Sequence, residues 1–477
     1  MSAPEAVPSP ALPSSAPAGF WALVREALAG TRRDLTAETL GRAILLLAVP
    51  MVLEMVMESI FAVADIFWIS KLGPDAVSVG VCTESLMTLV YTLAMGLAMG
   101  TGAVVARRTG AKDADGAGRA TVQAIILGAS AAAALGLAGV FAGTRLMALM
   151  GAPPGALAIG AAYPRVMLGG SVTVLLLFVV NAAFRGAGDA SITMRTLWLA
   201  NGINIVLGPC LVFGWGPFPR LGVTGAAVAT TIGRGVGVLY QLRALARGRG
   251  RLRVLRAHLV KDGAVQRTIL RLSRSGAVQM FVGMASWIVL VKIVSRFGAN
   301  VIAGYGIAFR VVMFALLPSW GLGNAAATLV GQNLGARRPE RAEQAVWRAA
   351  LYNLFFLGAV GALLVIFASD VVRLFSPVPE VVAAGGRCLR IVSAGFVFYA
   401  YGMVVTQAFN GAGDTRTPLV INLVCFWLWE IPAAKLLSGP LDFGPSGVFF
   451  AIAAAFSLVA VLGVATFRRG RWRSVEV

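Results

Sequence analysis

The residues Phe184-Arg-Gly-Ala-Gly-Asp189 recur as Phe409-Asn-Gly-Ala-Gly-Asp414, 225 positions later. One constant offset at several separate places indicates a duplication, because chance similarity would not keep the register. The chain is therefore predicted to consist of two equivalent halves. The same offset matches Gly73 with Gly298, Gly110-Ala111 with Gly335-Ala336, Gly222-Val223 with Gly447-Val448, and Ala226 with Ala451.

The composition places both halves in a membrane. Apolar residues make up 58% of the 477 positions and charged residues 13%, whereas soluble domains are about half apolar and a quarter charged. A helix needs about twenty apolar residues to cross a bilayer, and twelve stretches meet this length. They lie near 44–69, 80–104, 120–142, 160–183, 193–214, 222–242, 269–294, 301–328, 347–369, 385–409, 417–437 and 446–467.

These spans predict an all-α membrane protein with twelve transmembrane helices in two six-helix bundles. Six spans return the chain to the side where it started, so the two bundles are related by a parallel internal repeat. Two such bundles enclose a central cavity that can open to either side by rocking, which is the architecture of a secondary transporter. The bundles are expected at 41–243 and 269–467, with a basic linker at 244–268 and a tail at 468–477.

Positive charge predicts the orientation. Most of the 41 Lys and Arg residues fall in the segments on the side of the chain ends, and such residues accumulate on cytoplasmic loops. Both termini are therefore expected to be cytoplasmic, in the cytoplasmic (plasma) membrane. The densest group, Arg243 to Arg274, is interpreted as a topology signal, with recognition of anionic lipids as the alternative. No nucleic-acid partner is expected, because the basic residues lie in short segments between apolar runs.

Residues 1–40 begin with a Pro/Ala/Ser-rich stretch that is expected to be disordered and cytoplasmic. No basic segment leads into a cleavable apolar core, so no signal peptide is predicted. Phe20 to Leu40 are predicted to form a short amphipathic helix on the membrane surface.

The residue types that catalysis and metal binding require are scarce. His258 is the only histidine and lies in a basic loop, and Cys82, Cys210, Cys388 and Cys425 are far apart without metal-ligand spacing. A membrane-embedded enzyme would need an intramembrane constellation of His, Ser/Lys or paired Asp residues. We therefore expect no enzymatic activity, no cofactor and no metal site.

The first span carries three acids in an otherwise apolar helix. Glu58 lies about 40° and Asp65 about 20° from Glu54 around the helix axis, so all three share one face. A charged carboxylate at mid-bilayer costs roughly 2.5–3.5 kcal/mol, so these side chains are expected to line the cavity. Burial and a nearby like charge favour the protonated carboxyl, so such a group can load a proton on one side and release it on the other. Bonds to neighbouring helices are the alternative for Glu54 and Glu58.

Several of these stretches together resemble the multidrug and toxic compound extrusion (MATE) transporters of the MOP flippase superfamily. The resemblance covers residues 40 to 467, and it implies drug efflux coupled to inward movement of Na⁺ or H⁺. Asp65 matches the acid that the family places in its first helix. Gly208 stands where members resembling the archaeal branch carry an aspartate. The motifs are Pro50 with Val63-Ala-Asp-Ile-Phe-Trp68, Leu329-Val-Gly-Gln-Asn-Leu-Gly-Ala336, the two Gly-Ala-Gly-Asp turns, and Pro219-Arg-Leu-Gly-Val-Thr-Gly-Ala-Ala-Val-Ala-Thr230.

Three groups of candidate site residues follow. The cation-coupling group consists of Asp65, Glu58, Glu54 and, as a neutral oxygen donor, Asn204. The polar cavity group consists of Asn181, Thr230, Gln279 and Glu430. An adaptable apolar wall for the substrate is expected from Met55, Met57, Phe281, Met284, Trp287 and Trp320. Ordinary helix packing and hydrogen bonding between helices are the alternatives for the last two groups.

The repeated motif itself is interpreted as a structural turn. Gly186, Gly188, Gly411 and Gly413 allow tight turning, and Asp189 and Asp414 are expected to cap the helices that follow. Phosphate binding is the alternative, but the motif lacks a lysine and a Rossmann context.

The resulting hypothesis is a secondary active transporter that exports amphipathic, cationic drugs or metabolites in exchange for protons or sodium by alternating access. A lipid-linked saccharide flippase is the alternative, which would need a cavity rich in cationic residues. The expected partners are a small organic substrate, a coupling cation and the lipid bilayer, and the chain is expected to be monomeric. Glu54, Glu58 and Asp65 shifted by 225 become Gln279, Gly283 and Leu290, so ion coupling is predicted in the N-terminal half.

Overall fold

The structure, a computed structural model, describes residues 19–31, 33–248 and 250–477. The disorder predicted at the start of the chain falls on positions that lie outside the described residues. The N-terminal half contains α1 (Phe20–Ala29), α2 (Leu40–Ser70), α3 (Pro74–Gly110), α4 (Ala114–Leu149), α5 (Pro154–Gly160), α6 (Ala162–Gly169), α7 (Ser171–Ala187), α8 (Ala190–Phe213) and α9 (Val223–Arg247).

The C-terminal half follows a loop that contains one 3₁₀ turn (Arg256–Leu259). A π-helical stretch, Leu423–Glu430, joins its α16 and α17, and the chain ends in a 3₁₀ turn, Arg471–Ser474. The helices are α10 (Gly263–Val294), α11 (Ala299–Gly335), α12 (Pro339–Ile366), α13 (Ala368–Arg373), α14 (Pro379–Ala394), α15 (Phe396–Ala412), α16 (Arg416–Asn422), α17 (Ile431–Ser438) and α18 (Pro445–Arg468).

The predicted twelve-helix, two-bundle fold is confirmed. Among the described residues, ten helical spans are long and apolar enough to cross a membrane, and α14 with α15 makes an eleventh when the pair is counted as one span. That pair is bent by 57° at Gly395. The predicted sixth span corresponds to α9, which is less apolar because it carries the buried polar residues Thr230, Arg234 and Gln241.

The internal repeat is visible in the backbone. α3 and α11 end at Gly110 and Gly335, and α7 and α15 end at Ala187 and Ala412, in each case 225 residues apart. The glycines that follow α7 and α15, Gly188 and Gly413, have left-handed φ angles of 91° and 89°. A residue with a side chain would be strained there, so the turn of one half is repeated in the other.

The repeat loses its register before the last helix. Gly222 and Gly444 begin α9 and α18 with nearly the same backbone angles, φ 57° and ψ −139° against φ 55° and ψ −142°. The predicted matches of Gly222-Val223 with Gly447-Val448 and of Ala226 with Ala451 are therefore wrong by three residues. The reason is a shorter connection before α18, which occupies 439–444 where the first half uses 214–222.

The segment before α2 packs on protein rather than lying wholly on the membrane surface. The predicted helix over Phe20 to Leu40 is confined to α1, and Leu35 is fully buried. Arg195 of α8 donates to the carbonyls of Leu28 and Ala29 at 2.7 and 2.9 Å. Arg338 of the other half donates to the carbonyl of Thr36 at 3.0 Å. This segment therefore contacts both halves.

The last residues of the chain also cross between the halves. Arg107 of α3 donates to the carbonyls of Ala412, at 3.3 Å, and Val475. Val477 packs against the hydrophobic core of the N-terminal half. The buried Trp472 stacks on Phe467 with ring centroids 4.5 Å apart. The C-terminal tail is thus held by both bundles.

The two halves meet on one face, which we call the closed face and define by the ends of α3, α7, α11 and α15. A Cβ atom on Gly110 would overlap the carbonyl of Gln332, and one on Gly335 would overlap the carbonyl of Arg107. Gln332 Nε2 donates to the carbonyl of Gly186 at 2.8 Å. These contacts require backbone-to-backbone approach, which only glycine permits.

Farther from the closed face, charged side chains of the two halves are exposed. Glu84 of α3 and Arg310 of α11 are both accessible, although Arg310 still acts electrostatically on Glu84. Because side chains of both halves are accessible there, we call this second face the open face.

Gly110→Ala should separate the halves at the closed face, because overpacking costs about 1–3 kcal/mol. The reporter is Thr328→Cys in a protein whose four native cysteines have been replaced. We expect its thiol to react about tenfold faster with a polar maleimide when the purified protein also carries Gly110→Ala. Gly235→Ala is the matched control, because its Cβ would only touch the methyl group of Thr173 at 3.7 Å within one half. An unchanged rate for Gly110→Ala would contradict the role of this contact.

Candidate functional site

A cavity of about 380 Å³ lies between the two halves. Two acids and two arginines line it, all from the N-terminal half, together with amide side chains from both halves. Methionines and aromatic rings form much of the remaining wall. The lining includes Glu54, Glu58, Arg185 and Arg234; Asn181, Asn324, Gln407 and Asn410; Met55, Met95, Met99, Met280 and Met284; and Tyr91, Phe178 and Trp320.

Glu54 is held by two donors. Its side chain is 1% exposed. Arg185 Nη1 lies 3.2 Å from one carboxylate oxygen, and the Thr193 hydroxyl donates to the other at 2.8 Å. A buried carboxylate needs such a counter-charge, because desolvation of an unpaired ion costs several kcal/mol. Glu54 therefore already has a resident cation, Arg185, in this conformation.

Glu58 and Arg234 lie nearer the open face than Glu54 does, and they have different partners. Asn201 Nδ2 donates to one oxygen of Glu58 at 2.9 Å. Arg234 is 6% exposed and donates to the Tyr91 hydroxyl at 3.0 Å. The rings of Phe61 and Tyr91 lie 5.8 and 5.6 Å from its guanidinium carbon, where they stabilise the cation. Glu58 thus keeps one oxygen toward the cavity.

Asp65 lies farther along α2 and outside the residues that line the cavity. It is half-buried, and Arg234 and Glu84 are the charged groups that act on it. Its axial distance from Glu54 is about 16 Å, since eleven residues separate them at 1.5 Å each.

Asn204 does not join these acids. Its Nδ2 donates to the Thr230 hydroxyl at 2.7 Å, so these two predicted residues bond to each other. Gly208 lies beside them, with Asn204 Oδ1 at 3.9 Å and Trp68 at 4.0 Å from the position of an added Cβ. The four residues predicted as one coupling group are therefore spread along α2 and α8, and Glu54, Glu58 and Asn204 bond to different partners.

The remaining polar candidates also separate. Asn181 lines the cavity and accepts a hydrogen bond from Gln241 Nε2 at 2.5 Å. Gln279 is buried in α10 with its side-chain oxygen lacking a donor. Glu430 is buried at the end of the π-helical stretch, where Tyr305 and Tyr399 lie within its electrostatic reach. Gln279 and Glu430 are not among the residues that line the cavity.

The predicted apolar wall is only partly in place. Met55 and Met284 line the cavity, whereas Met57, Phe281 and Trp287 do not. Phe281 is 58% exposed, and Trp287 stacks on Tyr305 with centroids 5.4 Å apart. One residue turns a helix by about 100°, so Met57 and Phe281, each next to a lining residue, point elsewhere. Trp320, which was also predicted, lies in the wall, and the other members are Met95, Met99, Met280 and Phe178.

The two repeated turns use their aspartates differently. Asp414 accepts hydrogen bonds from the backbone N–H and the hydroxyl of Thr417, at 3.1 and 2.6 Å, as a helix cap does. Asp189 makes no such bond to α8 and accepts the backbone N–H of Arg251 at 2.5 Å. The predicted cap at Asp189 is therefore wrong, because the loop between the halves reaches its carboxylate. Gly186 and Gly411 instead pack tightly on α3 and α11.

Sequence reasoning assigned no role to Arg185, although it lies inside the repeated motif. The offset of 225 offers a signal, because it matches Arg185 with Asn410 and Glu54 with Gln279. Both charged members of the pair thus become amides in the second half. A search for acids alone misses this exchange, since the basic partner is 131 residues from Glu54.

Comparison with known proteins shows one family. The family model MatE matches residues 50–210 and 277–436, one segment in each half. The probable multidrug resistance protein YoeA of Bacillus subtilis is 25% identical over 91% of this chain and 95% of its own length. The FAD transporter of Shewanella oneidensis is 26% identical over 88% of this chain and 93% of its own length.

A solved structure agrees with the fold. It is described as the outward-facing conformation of a multidrug resistance MATE family transporter of the MOP superfamily. The two chains are 26% identical and superpose with a TM-score of 0.86, over 91% of this chain and 97% of the other.

The Glu54–Arg185 ion pair predicts that substitutions of its two members have non-additive effects on the free energy of unfolding. Glu54→Gln or Arg185→Gln alone should lower the free energy of unfolding by roughly 3 kcal/mol, because each leaves a buried charge unpaired. Glu54→Gln combined with Arg185→Asn should cost much less, because it copies the amides Gln279 and Asn410 of the second half. Reversible unfolding in mixed micelles measures all three. Additive losses in the double variant would show that the two side chains do not interact.

Proposed function

The chain belongs to the MATE family of membrane transporters, and we propose that it exports amphipathic organic cations in exchange for inward-moving H⁺ or Na⁺. MATE proteins move small molecules across membranes and are not enzymes. The observation that carries the proposal is a cavity between two bundles, closed on one face, with carboxylates of α2 along its length.

The direction of transport is supported by the distribution of charge. The closed face carries both described chain ends and the basic loop between the halves, and such basic segments stay in the cytoplasm. The termini are then cytoplasmic, and the open face looks out of the cell. A cavity open to the outside corresponds to the stage at which cargo is released and the coupling cation enters.

Asp65 and Glu58 are proposed as the coupling acids. Glu58 keeps one oxygen toward the cavity, and Asp65 lies nearer the open face beside Arg234 and Glu84. A cation arriving from outside reaches these two carboxylates before it reaches Glu54, whose oxygens are already occupied. Asn204 and Thr230 lie on the neighbouring helices as neutral oxygen donors.

The cavity chemistry favours organic cations over lipid-linked saccharides. A diphosphate headgroup would require an excess of basic side chains, whereas here Arg185 and Arg234 are balanced by Glu54 and Glu58. The methionine wall adapts to flat apolar groups of different shape. Each chain contains a complete cavity, which supports function as a monomer in the plasma membrane.

Asp65→Asn should uncouple transport while leaving the fold intact. In proteoliposomes with an imposed proton or sodium gradient, we expect efflux of rhodamine 6G to respond at least about tenfold less to the gradient. The gradient that drives the wild type identifies the coupling ion. Asp75→Asn, at an exposed acid in the first turn of α3, is the control and should retain full coupling. Equal coupling in Asp65→Asn and the wild type would refute this assignment.

A further inference from the structure

The ion pair at the closed end of the cavity suggests how cargo is bound and released. We propose that Glu54 binds a protonated amine or guanidine group of the cargo, and that Arg185 is a tethered cation that takes this place when the closed face is sealed. The proposal rests on the export function proposed above, and it narrows the cargo to cations that carry N–H donors.

The first step is that Glu54 is unavailable in this conformation. One oxygen is bound by Arg185 at 3.2 Å and the other by Thr193 at 2.8 Å. The side chain is 1% exposed but belongs to the cavity lining, as does Arg185. A cationic cargo group can therefore reach this carboxylate only by replacing the guanidinium.

The second step is that Arg185 is attached to the contact between the halves. Its own carbonyl accepts a hydrogen bond from the Thr328 hydroxyl of the other half at 3.2 Å. The next carbonyl, that of Gly186, accepts one from Gln332 Nε2 at 2.8 Å. Separation of the halves on this face must break both bonds. The backbone that carries the guanidinium then loses its anchor to the other half, and the grip on Glu54 is released.

The third step comes from the repeat. The equivalents of Glu54 and Arg185 are Gln279 and Asn410, both buried, so the helical frame accommodates neutral side chains at these positions. A purely structural bond between α2 and α7 does not require a full charge. The carboxylate with its matching guanidinium is therefore specific to the half that carries the coupling acids.

The fourth step concerns the chemistry of the replacement. Glu54 is held entirely by N–H and O–H donors, and charge-assisted bonds of this kind are about twice as strong as neutral ones. A protonated amine supplies both the positive charge and the donors, so it can satisfy the same oxygens. A quaternary ammonium supplies only charge and leaves a buried oxygen without a donor, which costs about 1–3 kcal/mol. Met95, Met99 and Trp320 remain available for the apolar body of the cargo.

These steps give each orientation a different occupant of the same carboxylate. When the closed face opens, Arg185 withdraws and Glu54 accepts an amine from the cytoplasm. When the face seals, Thr328 and Gln332 return Arg185 to Glu54, and the amine is displaced toward the open face. Release outside then follows from competition between two cations for one site.

The test compares two fluorescent probes that differ only at nitrogen, dansylcadaverine and its N,N,N-trimethylated derivative. Binding to the purified full-length protein is measured in detergent without any gradient. Arg185→Gln should bind dansylcadaverine at least about tenfold more tightly than the wild type does, with little change for the trimethylated probe. Arg185→Lys should give an intermediate ratio, because a single ammonium cannot reproduce the planar fork of the guanidinium.

Two variants serve as controls for charge and for the carboxylate. Arg234→Gln removes the other arginine of the cavity, which is held by Tyr91, and it should change the affinity of both probes equally. Glu54→Gln with Arg185→Asn should abolish the preference for the amine altogether. If Arg185→Gln does not fold, the comparison is made between Arg185→Lys and this double variant. Arg185→Lys must then prefer the amine probe over the trimethylated probe more strongly than the double variant does.

The proposal is overturned if Arg185→Gln binds both probes more tightly by the same factor, or if it binds the amine no better than the wild type. It is equally overturned if Arg185→Lys shows no more preference for the amine than the double variant does. Failure of the export function would appear separately, as wild-type flux in proteoliposomes that responds to neither a proton nor a sodium gradient.

Discussion

A charge inside a membrane protein must have a partner, because lipid supplies none. This constraint organises the N-terminal bundle from the first acid of α2 onward. Glu54 is paired with Arg185, Glu58 with the amide of Asn201, and Arg234 with Tyr91 and two aromatic rings. Each partner comes from a different helix, so satisfying the charges also sets how α2, α3, α7, α8 and α9 surround the cavity.

At the closed face, glycine residues allow the helices of the two halves to come into direct backbone contact. Hydrogen bonds such as that from Gln332 to the carbonyl of Gly186 require helices to approach without intervening side chains. Gly110 and Gly335 permit this approach in symmetry-related positions of α3 and α11. The duplicated frame therefore supplies the seal, and the charged side chains that differ between the copies supply the chemistry.

Much of the fold was predictable because it depends on patterns that are local in sequence. Apolar length indicated the twelve spans, and the repeated turn indicated the two halves. The site was less accessible, because its partners are distant in sequence: Glu54 with Arg185, and Arg234 with Tyr91. Helical periodicity placed Glu54 and Asp65 on one face but could not show which neighbouring helix each one meets. The three-residue register change at Gly444 had no local signal either, since Gly447 offered an equally good match.

The segments near the two chain ends stabilise one orientation of the transporter more than the other. Arg338 binds the segment before α2, and Arg107 binds the tail at Val475, so both ends fasten the closed face from outside the cavity. These contacts involve none of the residues that line the cavity, so they are not contacts to cargo. They therefore stabilise the orientation in which the closed face is shut, with or without cargo. Their free energy has to be overcome in every transport cycle before that face can open. Relatives with shorter or longer ends could differ in turnover while their cavities remain alike, which separates the speed of transport from the choice of cargo.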